Sequence, residues 1–274
     1  MILKLTKKTL LYFIALVSLA FFCYPFVYML STSLKTLQDY FKSPFSLATS
    51  SFSLTNYYSV YQMGLFRYFV NSIIITTIAV LLTVAISSLA SYPLSRLKFK
   101  LRGPLFLLLI SGMMLPVHAT LIPIFIMSNQ FHIYDTWLAL LGPYIGFSLP
   151  VSIFIFTRFM SDFPREIEEA AKIDGCGHLS TYLKIIMPVM TPAISTVVIY
   201  NFIHLWGEFI FALVLINTPE RMTLPLGLQH FNGEFSVNVP GLMAAITMAS
   251  IPLFLIFIFA QEKVVKGLVS GAVK

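Results

Sequence analysis

EEAAKIDGCGHLSTYLKIIMP, residues 168–188, holds acids, bases, two glycines and a histidine at helical spacing. It lies between two long apolar runs, Trp137–Met160 and Val189–Ile216. A charged insert flanked by segments long enough to cross a bilayer reads as a water-facing loop between two spans.

Working outward, the rest of the chain agrees with that reading. Of the 274 residues, 58% are apolar and 11% charged, and mean hydropathy is +0.86. A soluble domain of this size cannot bury so much hydrocarbon, so the class is all-α integral membrane protein. Apolar runs mark six transmembrane helices at about 10–30, 68–92, 104–127, 137–160, 189–216 and 241–260. They are too long for barrel strands, and helices satisfy their own backbone groups in hydrocarbon. The whole chain is one transmembrane domain, with the loop 161–188 between spans 4 and 5. Lys4, Lys7 and Lys8 before the first run, with no small-x-small cleavage pattern after it, read as an uncleaved signal anchor. Cys23 and Cys176 lie in unlike surroundings and have no disulfide, zinc or redox spacing.

Charge gives the orientation. With the N-terminus inside, the inner segments hold 14 of the 18 basic residues, and only Lys35, Lys42, Arg67 and Arg221 lie outside. The positive-inside rule then places both termini and the 161–188 loop in the cytoplasm. The net charge of +7 belongs to clusters beside apolar runs, which fits a membrane surface and excludes nucleic acid. The outer side carries residues 32–67 and Asn217–Pro240, and no internal repeat marks the inverted halves of a secondary transporter.

Within the loop, Asp162 and Pro164 mark a helix start, and Glu166, Glu168 and Glu169 load its first turn with negative charge. Gly175 supplies the stop through a left-handed conformation. On this helix Ile167, Ala170, Ala171 and Asp174 fall on one small, smooth face. A second turn, Leu179 to Ile186, returns the chain to the bilayer at Pro188.

The spacing Glu169-Ala170-Ala171, three residues, Gly175, nine residues, Ile185, one residue, Met187-Pro188 resembles the EAA loop of binding-protein-dependent ABC import permeases. Met187 stands where that family has Leu. Asn56-Tyr57, Tyr68-Phe69, Asn71-Ser72, and Ser91–Arg96 with Phe99-Lys100 are similar to the carbohydrate-uptake branch. So are Ile173-Asp174-Gly175 and the tail Lys266–Val269 with Gly271–Lys274. The resemblance implies a cytoplasmic EAA coupling helix that docks into a groove on an ATPase. Glu169, Ala170, Ala171, Asp174, Gly175, Ile185 and Pro188 would form the coupling segment, with Glu169 pairing with a basic residue of the ATPase. It further implies a second homologous permease subunit, a homodimeric ABC ATPase, an extracytoplasmic solute-binding protein and a sugar substrate, in a bacterial or archaeal cytoplasmic membrane. The chain has no Gly-rich phosphate loop, so ATP and Mg belong to the partner subunits.

In the fifth span Asn201, His204 and Glu208 follow i, i+3, i+7 spacing and form one polar stripe. An ionised acid in mid-bilayer costs about 2.5–3.5 kcal/mol on insertion scales, so Glu208 faces protein or water. The stripe reads as a lining of the sugar path or the subunit seam, against a His204–Glu208 pair that holds packing. The family's Phe-x3-Trp-Asn-x-Phe is met by Phe202, Trp206 and Phe209, with Gly207 in place of Asn. His118, between Pro116 and Pro123, reads equally as a cavity-lining group and as a packing group. The competing functions are import of a non-sugar solute and proton-coupled secondary transport, and the latter leaves the EAA spacing without a purpose. No nucleophile–base or metal-ligand arrangement marks an enzyme.

Overall fold

The computed structural model describes residues 2–47, 52–234 and 238–272, without the side chains of 2–7, 172, 230–234 and 260–272. Lys4, Lys7, Lys172, Lys263, Lys266 and Lys274, which enter the charge count, and the family-like tail therefore lie outside the described side chains. Among the described residues every regular element is helical. Helices α1 (Ile2–Ser33), α2 (Leu37–Lys42) and α3 (Thr55–Gln62) lead to α4 (Leu65–Arg96). Next come α5 (Arg102–Ser111), α6 (Val117–Gln130) and α7 (Trp137–Asp162). A run of short pieces follows: α8 (Glu166–Ile173), α9 (His178–Thr181), a π turn (Tyr182–Ile186) and α10 (Met187–Val189). Helices α11 (Thr191–Trp206), α12 (Ile210–Leu215), α13 (Leu224–Glu234) and α14 (Val239–Ala272) complete the order.

Among the described residues four helices are long and apolar enough to cross a membrane: Lys8–Ser33, Leu65–Arg96, Trp137–Asp162 and Val239–Phe259. Two bent pairs qualify jointly, Arg102–Met114 with Val117–Gln130 at 98° and His178–Val189 with Thr191–Trp206 at 74°. Counting each pair as one span gives six. The run 104–127 is thus not a straight helix, and the 74° bend lies at the start of the run 189–216. In the first, Leu115 precedes a proline, whose Cδ disfavours the helical region for its neighbour, and it is extended at φ −74°, ψ 120°. In the second, Met190 leaves the helix just before Thr191-Pro192, where proline suits a first turn and cannot continue an earlier ladder. A second break follows Trp206, at Gly207 and Glu208.

The described chain forms two compact units. One contains the residues up to Arg67 together with Gly227–Ile251. Its helix α1 is largely bare from Lys8 to Val27, so lipid or another subunit must cover that apolar surface. Beyond it the chain folds back on the end of α1. The Asn56 Nδ2 donates to the carbonyls of Ser33 and Lys35, both at 2.8 Å. Lys35 is fully buried, and its ammonium donates to the carbonyls of Ser43 (3.1 Å) and Ser46 (2.5 Å). A buried cation needs such partners to offset its lost hydration.

The other unit contains Tyr68–Leu226 and Pro252 onward. Here α4 buries a stripe of small hydroxyl residues, among them Ser72, Thr76, Thr83, Ser87, Ser91 and Ser95. Small side chains let membrane helices approach, and the Ser91 hydroxyl reaches the Ile153 carbonyl of α7 at 3.2 Å. Gly112 plays the same part after α5, since a Cβ there would meet Pro150 of α7 at 2.8 Å. The core gathers Tyr92 of α4, Phe156 and Met160 of α7, Tyr182 and Ile186 of the π turn, and Met190, Ala193 and Val197.

Candidate functional site

Helix α7 ends at Asp162, and Phe163 is extended at φ −81°, ψ 136° because Pro164 follows it. Helix α8 therefore starts at Glu166 and not at Asp162, with the Arg165 carbonyl accepting from the Glu168 and Glu169 amides at 3.0 Å. Three glutamates in the first turn suit the positive end of the helix dipole. At the other end Gly175 has φ +80°, and the Cys176 amide reaches back to the Ala171 carbonyl at 2.9 Å. That six-residue closure is a Schellman cap, which needs a left-handed residue at the glycine position. Nothing lies within 4 Å of where a Cβ of Gly175 would sit.

The helix presents a different face from the one inferred. Ala171 is buried (4% exposed), as is Glu168 (6%), while Ile167, Glu169, Ala170, Ile173 and Asp174 are exposed. Ala171 therefore leaves the expected Ile167–Ala170–Ala171–Asp174 face, and Glu169 and Ile173 join the outward side. The cause is Glu168, one helical position off that face. Its Oε1 lies 2.6 Å from Nε of Arg96, the last residue of α4. Another Arg96 nitrogen donates to the Phe163 carbonyl at 3.0 Å, and the guanidinium lies 5.8 Å from the centre of the Phe163 ring. Helix phase alone did not reveal Glu168, because the pattern singles out the glutamate beside it.

Downstream, Leu179 and Leu183 are exposed, whereas Tyr182 and Ile186 are buried. The Tyr182 and Ser88 hydroxyls lie 2.8 Å apart, and Tyr182 packs against the Tyr92 ring at 5.5 Å. Ile185 is half-buried and Pro188 exposed. The motif isoleucine thus borders the core that Ile186 enters.

The fifth span does not carry a single stripe. Asn201 is buried, with its amide nitrogen donating to the Ser152 hydroxyl and the Val197 carbonyl, both at 2.9 Å. His204 is exposed, its Nδ1 lies 2.8 Å from the Tyr200 carbonyl, and its ring lies tilted against that of Tyr200 with centres 4.1 Å apart. Glu208 lies beyond the end of α11, so i+7 spacing no longer applies to it. Its carboxylate accepts from the Phe211 amide (2.7 Å) and the Ala212 amide (3.3 Å) at the start of α12. It also accepts from the buried Tyr144 hydroxyl at 2.8 Å. His204 and Glu208 each take other partners, so the alternative of a His204–Glu208 packing pair does not form. His118 is exposed in the first turn of α6, just past the Pro116 break.

On the side of the loop before α7, Asp135 has φ 56° and accepts from the amides of Asn217 (2.8 Å) and Thr218 (2.9 Å). The Thr218 hydroxyl also donates to it, and Arg221 pairs with it at 3.3 Å. Asn71 donates to the Glu220 and Met222 carbonyls at 3.0 and 2.9 Å, which fixes the far end of the same turn.

Residues 83–270 match the family described as binding-protein-dependent transport system inner membrane component. Over 271 residues the chain is 44% identical to the ORF2 ABC transporter permease protein of Caldicellulosiruptor sp. (strain Rt8B.4), covering 99% of this chain and 98% of that one. It is 34% identical to the trehalose/maltose transport system permease protein MalG of Thermococcus litoralis, covering 97% of each. A crystal structure of a bacterial ABC transporter involved in alginate import superposes with a TM-score of 0.80 at 22% identity, over 95% of this chain and 96% of that one. A family match across more than half of the chain, with full-length relatives of this identity, means that the chain belongs to the inner membrane components of binding-protein-dependent transport systems.

Proposed function

We propose that the chain forms half of the membrane pathway of an ATP-driven sugar importer in a bacterial or archaeal cytoplasmic membrane. Members of its family are permease subunits of ABC importers and not enzymes. The observation that carries the reading is the exposed face of α8. Glu169, Ala170, Ile173 and Asp174 stand bare, and they end in a Gly175 cap with open space around it. An isoleucine 87% exposed in a water-facing loop needs a covering surface, and a groove on an ATPase subunit provides one. Glu169 supplies a charge for a basic residue of that groove. Ala171 supports the helix from within, and Ile185 and Pro188 set its return to the membrane.

The remaining parts follow from the same reading. A second homologous permease subunit covers the bare helices, two ATPase copies hold ATP and Mg, and an extracytoplasmic binding protein delivers the sugar. Charge asymmetry supports a cytoplasmic side for both termini and α8. The relatives named for trehalose, maltose and alginate support a sugar, and an oligosaccharide in particular, over other solutes. Along the path the exposed imidazoles of His204 and His118 and the half-exposed Glu208 are the candidate lining groups. Asn201, with its amide nitrogen bonded inside the chain, supports the wall behind them.

Co-purification of the ATPase with the permease tests this function. Glu169→Lys and Gly175→Val are expected to leave the spans inserted while the ATPase is lost or stops responding. Normal ATPase stoichiometry and native uptake in both variants would make α8 an ordinary loop.

A further inference from the structure

The docking face of α8 explains how force enters this subunit but not how it leaves the helix. Only Phe163, Pro164 and Arg165 connect α7 to α8. A link this short, with Phe163 extended before Pro164, breaks the helical ladder and would let α8 swing without moving the spans. The side chains around it prevent that. Arg96 is the C-terminal residue of α4, and its planar guanidinium meets α8 through Glu168 (2.6 Å) and the end of α7 through the Phe163 carbonyl (3.0 Å). Both ionic side chains are shut away from water, with 3% of Arg96 and 8% of Glu168 exposed. A guanidinium suits this position because it spreads its charge over three nitrogens, so one can donate to the Phe163 carbonyl while another stays close to the Glu168 carboxylate. Two turns earlier on α4, the Ser88 hydroxyl lies 2.8 Å from that of Tyr182, towards the far end of the insert. The Tyr92 ring packs between these two ties. The insert is thus fastened to α4 at both ends, while α7 is joined at Arg96.

From this geometry we infer that Arg96 and Glu168 are positioning residues that make α8, α4 and α7 move as one body, so that displacement of the docked helix reaches the membrane. The inference rests on the reading of α8 as the ATPase-docking helix. It assigns work to Glu168, a neighbour of the docking residues that points away from the partner. Energetically a buried ion pair is a poor source of stability but a strict one for geometry, because neither charge tolerates loss of the other.

The test uses the complete complex of both permease subunits and the ATPase in lipid nanodiscs, with ATP as the probe. The quantity read is the rise in ATP hydrolysis on adding the importer's own binding protein, a signal that must cross the spans. Glu168→Gln is expected to keep normal ATPase stoichiometry while the stimulation falls about tenfold, within the usual range of inter-site coupling. Arg96→Lys, which keeps the charge but not its spread over three nitrogens, is expected to lose less. If the single variants assemble poorly, Arg96→Met with Glu168→Leu removes both buried charges and restores yield, and stimulation is expected to stay low. A merely structural role predicts that the double variant recovers stimulation together with yield. Wild-type stimulation in any of the three would overturn the inference, as would loss of the ATPase from the double variant, which would make the pair a docking element. A wild-type complex that never retains the ATPase would instead remove the docking function itself.

Discussion

Two carboxylates at the starts of two short helices are held in opposite ways. Glu168, in the first turn of α8, is neutralised by a cation from another helix. Glu208, just before α12, has backbone amides and the Tyr144 phenol as its partners. The surroundings explain the difference. At the end of α4 the Arg96 guanidinium is shut away from water, and Glu168 and the Phe163 carbonyl offset its lost hydration. At the break in the fifth span a full cation would itself need solvation. The chain instead offers partial charges already present, the unpaired amides of a helix N-terminus. The ion pair joins separate elements. The amide cage stabilises a break within one span and links it to α7 through Tyr144.

The two arrangements differ most when one partner is removed. Arg96→Met leaves Glu168 buried with no counter-charge and is expected to destabilise the subunit by about 3–5 kcal/mol. Unfolding of the purified protein in mixed micelles, followed by helical circular dichroism, gives the value. A loss below about 1 kcal/mol would mean that Glu168 finds water when its partner goes, and the contrast with Glu208 would disappear.

Glu208→Leu is expected to cost less, about 1–3 kcal/mol, because the orphaned donors are neutral. Glu208→Gln keeps an acceptor oxygen and should recover much of that loss. The same unfolding assay reads both variants. If Gln behaved like Leu, the negative charge and not the hydrogen bonding would be what the site requires, and Glu208 would resemble Glu168 after all.

Asp135 stands between the two cases and gives the smallest effect. Burial alone would raise its pKa, but the Thr218 hydroxyl, the Thr218 and Asn217 amides and the Arg221 charge outweigh that and hold it below the usual carboxylate value. A depressed folded-state pKa adds stability above the unfolded value of about 3.9, and that stability is lost as pH falls through the lower folded value. Stability of Asp135→Asn is therefore expected to vary less with pH than wild type below about pH 5. Parallel curves would show that the clasp does not depend on its charge.

The sequence revealed the helical, membrane-spanning class and the capped turn at Gly175, because hydropathy, charge asymmetry and a positive-φ glycine are local signals. It revealed less where tertiary partners decide. Pro116 was visible, yet treating the run 104–127 as one rod concealed a bend of 98°. Gly207 was noted as a departure from the family pattern, but not as the break that removes Glu208 from the stripe. Which of two adjacent glutamates turns inward depends on an arginine 72 positions upstream of Glu168, and no periodicity within α8 contains that information.

The buried Lys35 has a practical consequence for amine chemistry. Its ammonium is enclosed by backbone carbonyls, whereas Lys42, seven residues on, stands exposed. An acylating reagent such as an N-hydroxysuccinimide ester attacks the free amine, so it should modify Lys42 in the native protein and Lys35 only after this segment opens. Both lysines fall within one short stretch, and the ratio of the two modifications in a mass spectrum would be an internally calibrated clock for the opening of the segment that follows α1.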